Sequence, residues 1–297
     1  MLHSNTASVS FFGESIDAEF WKRLTSLSEL APLAHVAFIQ CNVEDGAVPS
    51  LSWLGDRTTS RPWCRPRGLR SLTIEGTWLG PSFWARLGEM MPPSETLVLV
   101  RCGLDGATAE RLADHAWFDN TNCIDLSYNI GLPLEKIFRT SASSLRHLSL
   151  RGCDVSDETL VTLGRLKTRE NEPLGIDGLV ELNLRDNPIT DNGVRLLSQL
   201  PLAAIQSLDL SDCDLTVDSV EALISSPWFD QLSELSLWGL ELDAEASQKL
   251  AEVGNHLLYL GCDAPEDPDA ERIIKNAPNL KRSIVSHGED DILPSRR

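Results

Sequence analysis

The stretch Leu145-Arg146-His147-Leu148-Ser149-Leu150-Arg151-Gly152-Cys153-Asp154-Val155 is one of three copies of a single phrase, LxxLxLxx(C/N)xL. The others are Leu179-Val180-Glu181-Leu182-Asn183-Leu184-Arg185-Asp186-Asn187-Pro188-Ile189 and Ile205-Gln206-Ser207-Leu208-Asp209-Leu210-Ser211-Asp212-Cys213-Asp214-Leu215. Sliding the phrase along the 297 residues finds starts at 6, 33, 69, 94, 121, 145, 179, 205 and 232, with degenerate copies from Leu257 and Leu280. The four apolar slots of the first nine copies are aliphatic or Phe in 32 of 36 cases, whereas the 42% apolar composition alone would fill about 15. A further slot, 18 residues after each start, holds Leu24, Leu51, Leu87, Leu112, Leu163, Leu197, Leu223 and Leu250, and only Arg139 breaks it.

Two periods are written into each copy. The LxLx alternation predicts a short strand with its leucines on one face. Turn and capping residues follow, as in Thr190-Asp191-Asn192-Gly193, and then Val194 and Leu197 at helical spacing. One such unit cannot bury its own apolar face, but stacked units share a continuous core. The predicted fold is an α/β solenoid with a parallel sheet on the concave face and bulkier helices on the convex face. It forms one domain over 1–286, with 6–32 as first unit and cap, and 257–286 as degenerate capping units. The end, 287–297, reads as a disordered tail. The copies from 33 and 145 are long, and because Leu51 and Leu163 keep their slots, the extra residues fall around 56–68 and 168–178, between helix and next strand.

The stretches LRHLSLRGCDVSDETLVTL (145–163), LVELNLRDNPITDNGVRLL (179–197) and IQSLDLSDCDLTVDSVEAL (205–223) resemble leucine-rich-repeat proteins of the ribonuclease-inhibitor-like, cysteine-containing class. The resemblance covers roughly residues 6–282 and implies a horseshoe of about 11 units. HAWFDN (115–120) and SSPWFDQL (225–232) are similar to bacterial members. It also implies that the slot shared by Cys41, Cys102, Cys153, Cys213, Asn129 and Asn187 is buried, its side chains satisfying loop backbone groups. Trp21 and Trp84, at matching helix positions, and Trp117 and Trp228, before strands, read as core.

Composition excludes several classes. Acids outnumber bases 44 to 26, a net charge of −18, which repels nucleic acid and anionic membranes. From Ile205 onward there are 19 acids and 7 bases, so the acidity is concentrated there. No stretch of 18 apolar residues suggests a membrane span, and the N-terminus does not read as a signal peptide. Seven cysteines without a CxxC pair point to a reducing, cytoplasmic setting rather than a disulfide or zinc scaffold. No phosphate-binding, dinucleotide, zinc-protease or hydrolase motif occurs, so no catalytic residue, metal or cofactor is assigned.

Residues between the strand leucines, at the third, fifth and seventh positions, are expected to face a ligand, with Arg101 and Tyr128 one step further along. They form a gradient: apolar Phe12, Ile39, Val98 and Val100, then Arg101, Tyr128, His147, Arg151 and Arg185, then acidic residues including Asp209, with Trp238. Ser127 and Ser211 belong to the seventh-position column. Arg and aromatic residues on an open sheet are the usual anchors of protein interfaces. Cys123, His147 and Glu181 share a column beside Asp125, but an open sheet excludes little water and offers no oxyanion hole. The long segment 56–68 concentrates Arg57, Arg61, Arg65 and Arg67 around Trp63. It reads either as a loop gripping phosphates, an acidic peptide or nucleic acid, or as a flexible loop or one folded back on the acidic body.

The function expected is a non-enzymatic protein–protein interaction scaffold, monomeric, binding a protein partner through the concave sheet and loop rims. Two alternatives stay open. The resemblance implies an acidic inhibitor or immunity-type protein of a basic enzyme, the partner carrying basic patches, or a regulator that activates a small GTPase.

Overall fold

Stacking is how these repeats hide their leucines from water, and the computed structural model of the chain is built that way. It describes residues 7–30, 33–51, 69–88, 93, 95–114, 117–118, 121–140, 145–169, 176–263, 267–277 and 283–286. The chain divides into two compact units, 1–153 with 172–178 and 154–171 with 179–297. In the first unit, β1 (Ala7–Phe12), β3 (Leu33–Ile39), β5 (Ser71–Glu75), β6 (Thr96–Val100), β7 (Cys123–Asp125) and β8 (His147–Ser149) pair in parallel, in that order. A two-stranded ribbon joins β2 (Ser15–Ile16) to β4 (Asn42–Val43). Helices α1 (Ala18–Leu30), α2 (Pro81–Gly88), α3 (Gly106–Asp114) and α4 (Leu134–Thr140) return the chain.

The second unit opens on α5 (Asp157–Arg169) and continues with β9 (Glu181–Asn183), α6 (Asp191–Leu197), β10 (Ser207–Asp209), α7 (Asp218–Ile224) and β11 (Glu234–Leu237). It ends with α8 (Ala244–Val253), β12 (Tyr259–Asp263), α9 (Pro268–Asn276) and β13 (Ser283–Ser286). Its strands pair in parallel in chain order. This is the α/β solenoid that the repeated phrase predicts. No helix among the described residues is long and apolar enough to cross a membrane.

Registers follow the repeat position for position. Ser8, His35, Ser71, Thr96, Cys123 and His147, all third positions, are successive partners. In the second unit Glu181, Ser207, Glu234 and Tyr259 form the same column. A slip of one residue would send every leucine to water, which is why the register holds across so many short strands. The eighteenth-slot leucines are all buried, from Leu51, Leu223 and Leu250 at 0% exposure to Leu163 at 4%. Where Arg139 breaks that slot it points to solvent, 3.3 Å from Glu135, and Ile137 and Phe138 supply the buried face instead. Trp21, Trp84, Trp117 and Trp228 are buried, as expected of core residues.

The ninth position carries the polar skeleton. Asn129 Nδ2 donates to the carbonyls of Leu99 (2.6 Å) and Leu126 (2.8 Å), and its Oδ1 accepts from the Leu104 amide at 3.1 Å. Asn187 does the same, donating to Leu184 O at 2.8 Å and accepting from Val155 N at 2.9 Å. Cysteine covers the donor half of this role. Cys153 Sγ donates to Leu126 O (3.1 Å) and Cys213 Sγ to Leu184 O (3.4 Å). Thr77 fills the slot in its repeat, donating to Glu75 O and accepting from Cys41 N at 3.0 Å, a match that the C/N phrase overlooks. Burial pushes the Cys102 thiol up to about 12, and those of Cys153 and Cys213 up to about 11.

Three features depart from the uniform unit. The repeat from Leu33 shows no α-helix among its described residues; a 3-10 turn, Asp45–Ala47, stands there, followed by Pro49 and the buried Leu51. Gly46 and Pro49 are poor helix formers, and the Asp45 carboxylate serves α2 instead, accepting from the amides of Ser82 and Phe83 at 3.2 and 3.0 Å. Next, the repeat from Leu257 is less degenerate than it reads, with Leu257, Leu260 and Cys262 at 0% exposure. Asp267, in one of its apolar slots, caps α9 by accepting from Asp269 N at 2.9 Å. Finally, a rim ladder links successive repeats. Asp157 accepts from the Thr190 amide and hydroxyl, and Asp191 accepts from those of Thr216. Burial works against the Asp157 charge, but these hydrogen bonds outweigh it and hold the carboxyl below its ordinary range.

Candidate functional site

The residue at the eighth position turns the chain out of the sheet, and its backbone conformation is the same in every repeat from the first to that starting at Leu232. Gly13, Gln40, Gly76, Arg101, Tyr128, Gly152, Asp186, Asp212 and Gly239 all have φ between 46° and 85°. That turn lets the eighth amide continue the ladder by one rung. Gly76 N donates to Val100 O, Arg101 N to Ser127 O and Tyr128 N to Arg151 O, at 2.8–3.0 Å. Glycine takes this left-handed conformation freely and Asp tolerates it, whereas the Cβ of other residues, Gln40, Arg101 and Tyr128 here, costs about 1–2 kcal/mol. Arg101 and Tyr128 therefore stand where the backbone favours glycine.

The side chains held against that strain meet each other. The Arg101 guanidinium lies 4.6 Å from the centroid of the Tyr128 ring, and that of Arg151 lies 5.3 Å from it. Among the described residues neither arginine has a carboxylate partner in an ion pair, and Arg151 Nε is shielded from solvent without a hydrogen-bond partner. A tyrosine between two guanidiniums is a cation–π arrangement that keeps the planar forks pre-organised. Beside it, Val98 and Val100 are half-buried on β6. Farther along the first unit, Ile39 is half-buried and Phe12 is 66% exposed. His147 is exposed and is the register partner of Cys123.

Ser127 and Ser211, expected to face a ligand at the seventh position, are buried instead. The cause is the fifth-position side chain. Asp125 Oδ1 accepts from the Ser127 amide and Asp209 Oδ1 from the Ser211 amide, both at 2.9 Å, and Asn183 makes the same bond to Arg185 N. A small seventh residue is then covered by its own repeat and the next: Ser149 Oγ lies 2.8 Å from Ser127 Oγ, and the Trp238 amide donates to Ser211 Oγ at 3.2 Å. Asp209 accordingly has one oxygen committed to the fold.

The second unit presents a different face. Arg185 donates through Nε to Asp212 Oδ2 at 2.7 Å, with its terminal nitrogen at the same distance from that oxygen. Unlike Arg101 and Arg151, Arg185 is neutralised within the chain. Trp238 lies over Gly261, where an added Cβ would sit 2.8 Å from both Trp238 Nε1 and Tyr259 Oη. Only a glycine lets the indole approach the sheet so closely. Around it the exposed columns carry Glu181, Asp209, Asp212, Glu234 and Asp263, with Asp263 accepting from Gly239 N at 2.9 Å. Tyr259, Gly261 and Asp263 were overlooked in the sequence because the repeat from Leu257 reads as a cap; its Leu257-x-x-Leu260-x-Cys262 core was the available signal.

Among the described residues no group of three or more His, Cys, Asp or Glu side chains converges as a metal site would. The arginine-rich segment with Arg57, Arg61, Trp63, Arg65 and Arg67 lies outside the described residues.

Comparison with known proteins bears on the same repeats. The family model described as Leucine Rich repeat matches residues 141–164, 179–198 and 205–223. A curated relative, the mouse (Mus musculus) protein named Ribonuclease inhibitor, is 28% identical over 167 residues, 52% of this chain and 35% of the relative. The aligned part thus spans about a third of that protein's length. The chain thus carries leucine-rich repeats and, over the aligned half of its length, is similar to a ribonuclease inhibitor.

Proposed function

We propose that the chain is a non-enzymatic scaffold that binds a partner protein through its exposed sheet face and loop rims, with Arg101, Tyr128 and Arg151 as the anchor. The observation that carries this reading is the stack made by two of the left-handed residues, Arg101 and Tyr128, with Arg151. Four repeats use glycine at the eighth position, yet Arg101 and Tyr128 occupy it and stack with Arg151. Strained backbone kept in place by its surroundings is characteristic of working surfaces. Arg, Tyr and Trp are also the residue types that dominate binding energy when a partner buries them. Val98 and Val100 extend the anchor, with Ile39, Phe12 and His147 farther along the same unit.

Thiols that donate to carbonyls, as the buried Cys153 and the half-buried Cys213 do, remain donors only while reduced, which supports a reducing, cytoplasmic setting. The test is affinity capture with the full chain beside an Arg101→Ser/Arg151→Glu variant, followed by quantitative mass spectrometry. The proposal expects specific proteins to be retained by the wild type and lost by the variant. Equal capture by both refutes the anchor.

A second reading is favoured by the face of the second unit. Trp238 laid on Gly261 among Glu234, Asp209 and Asp263 suits a cationic partner, and the mouse relative is named for inhibiting ribonuclease. Under this reading the chain inhibits a basic enzyme, and inhibition weakens steeply with added salt. A basic ribonuclease assayed with the chain at low and high salt tests it; full activity at low salt refutes it.

A further inference from the structure

We infer that the rim made by Trp78, Gly103 and Ile130, joined to the Arg101–Tyr128–Arg151 stack, is the docking site for a linear partner segment in which an acidic residue stands beside a large apolar one. This rests on the protein-binding reading above and names the chemistry of the partner.

The rim is the tenth position of three successive repeats. Trp78 is 75% exposed and Ile130 is 69% exposed, an unusual display of apolar surface for a loop. Between them stands Gly103, where an added Cβ would lie 3.0 Å from Trp78 Cε3 and Cζ3. The indole therefore rests across bare backbone, and no side chain separates it from the repeat that carries Ile130. At the other described tenth positions stand Ser15, Asn42, Asp154, Pro188, Asp214 and Glu241, none of them large and apolar. The apolar rim is thus confined to the repeats that also carry Arg101 and Tyr128 and to the one before them.

The two features are neighbours by construction. Tenth and eighth positions are two residues apart, at most about 7 Å of chain. The ninth residues between them, Cys102 and Asn129, point into the core at 0% and 3% exposure. Arg101 and Gly103 flank Cys102, and Tyr128 and Ile130 flank Asn129, so the cationic stack and the apolar rim are two lips of one surface.

Charge selects the occupant. In a chain of net charge −18, two guanidiniums without a carboxylate partner among the described residues form a local positive site. Their forks match a carboxylate in bidentate geometry, and stacking on Tyr128 leaves the fork edges available. An apolar side chain of the same segment then covers Trp78, Gly103 and Ile130. A segment with only acids leaves the indole wet, and one with only apolar residues leaves both arginines unpaired.

A random dodecapeptide library displayed on phage and selected on the full immobilised chain, at about 0.15 M salt, tests the inference. Selected peptides are expected to combine Asp or Glu with Leu, Ile, Phe or Trp. The leading peptide, synthesised with a fluorophore, is expected to bind both a Trp78→Ser/Ile130→Ser variant and an Arg101→Ser/Arg151→Ser variant about tenfold or more weakly. Each variant's denaturation midpoint is measured alongside, and the exposed rim substitutions are expected to leave it in place. Enrichment of basic peptides, enrichment of nothing above a blank surface, or tighter retention of a fluorescent single-stranded RNA than of the peptide overturns the inference. If the rim variant binds as the wild type does while the arginine variant loses binding, the scaffold reading stands and the rim assignment fails. If the arginine variant also binds normally, both fail.

Discussion

Tyr128 offers a way to separate what the fold needs from what binding needs. Tyr128→Gly and Tyr128→Ala both delete the ring that faces Arg101 at 4.6 Å and Arg151 at 5.3 Å, so both lose the same two cation–π contacts. At about 0.5–1 kcal/mol each for exposed sites, that loss is about 1–2 kcal/mol. The variants differ in one respect, the Cβ at φ 60°. Alanine keeps the left-handed cost of about 1–2 kcal/mol, whereas glycine escapes it but loses part of the gain to backbone entropy. Glycine is therefore expected to be the more stable variant by about 0.5–1 kcal/mol, the reverse of its rank in a helix or strand. With a slope of about 2–3 kcal/mol per molar urea, that is a midpoint difference of about 0.2–0.5 M by circular dichroism. Gly13→Ala is the control, because φ there is 66° and no atom lies within 4 Å of the added Cβ. It should cost the same, about 0.5–1 kcal/mol. Partner binding should fall in both Tyr128 variants alike. If Tyr128→Ala is as stable as Tyr128→Gly, the backbone at this position carries no strain, and the reason for assigning Arg101 and Tyr128 to binding is gone.

Asn129→Ala should lower stability by about 3–5 kcal/mol, because it strands the Leu104 amide and the carbonyls of Leu99 and Leu126; Asn129→Cys should cost visibly less, since Cys153 and Cys213 show that a thiol serves the carbonyl half. Urea titration of both checks the order, and equal losses refute it. Burial raises the Cys102, Cys153, Cys213 and Cys262 thiols to about 11 or about 12, above the 9.0 of an unperturbed thiol. They bind their protons more tightly when folded, so their contribution is complete below about pH 8 and is lost as pH rises from about 9 through about 11–12. Native-state alkylation at about pH 8 should spare them and urea should expose them; rapid native labelling refutes the burial argument. Arg185→Gln should change stability by no more than about 1 kcal/mol, since its pair with Asp212 is partly solvent-exposed, and should reduce partner binding less than Arg151→Gln, because Arg185 already has its counter-charge. A larger binding loss at Arg185 reverses that ranking.

How much of this was legible in the sequence depends on the kind of interaction. Leu148, Leu182 and Leu208 could be placed on one buried face from spacing alone, because strand and helix periods are local and each repeat touches only its neighbours. The Cys and Asn slot was legible through resemblance, whereas Thr77 was not, since the phrase names residues rather than the hydrogen bonds they make. Ser127 and Ser211 were misplaced because covering by Asp125 and Asp209 is a side-chain matter that alternation ignores.

By itself the sequence determined the repeat, its register and the apolar core, all of which follow from one-dimensional periods that stacking must respect. Tertiary structure alone decided what each exposed residue meets. Arg151 and Arg185 hold the same position in consecutive repeats, yet one stacks on Tyr128 and the other pairs with Asp212. Trp78 and Trp238 each lie on a glycine of the following repeat, Gly103 and Gly261, a relation that only the packed chain creates. The physical reason is the same throughout. Burial of the leucines is set by their own place in the period, whereas charge pairing, ring stacking, close approach and the covering of small polar residues depend on which side chains are packed against them.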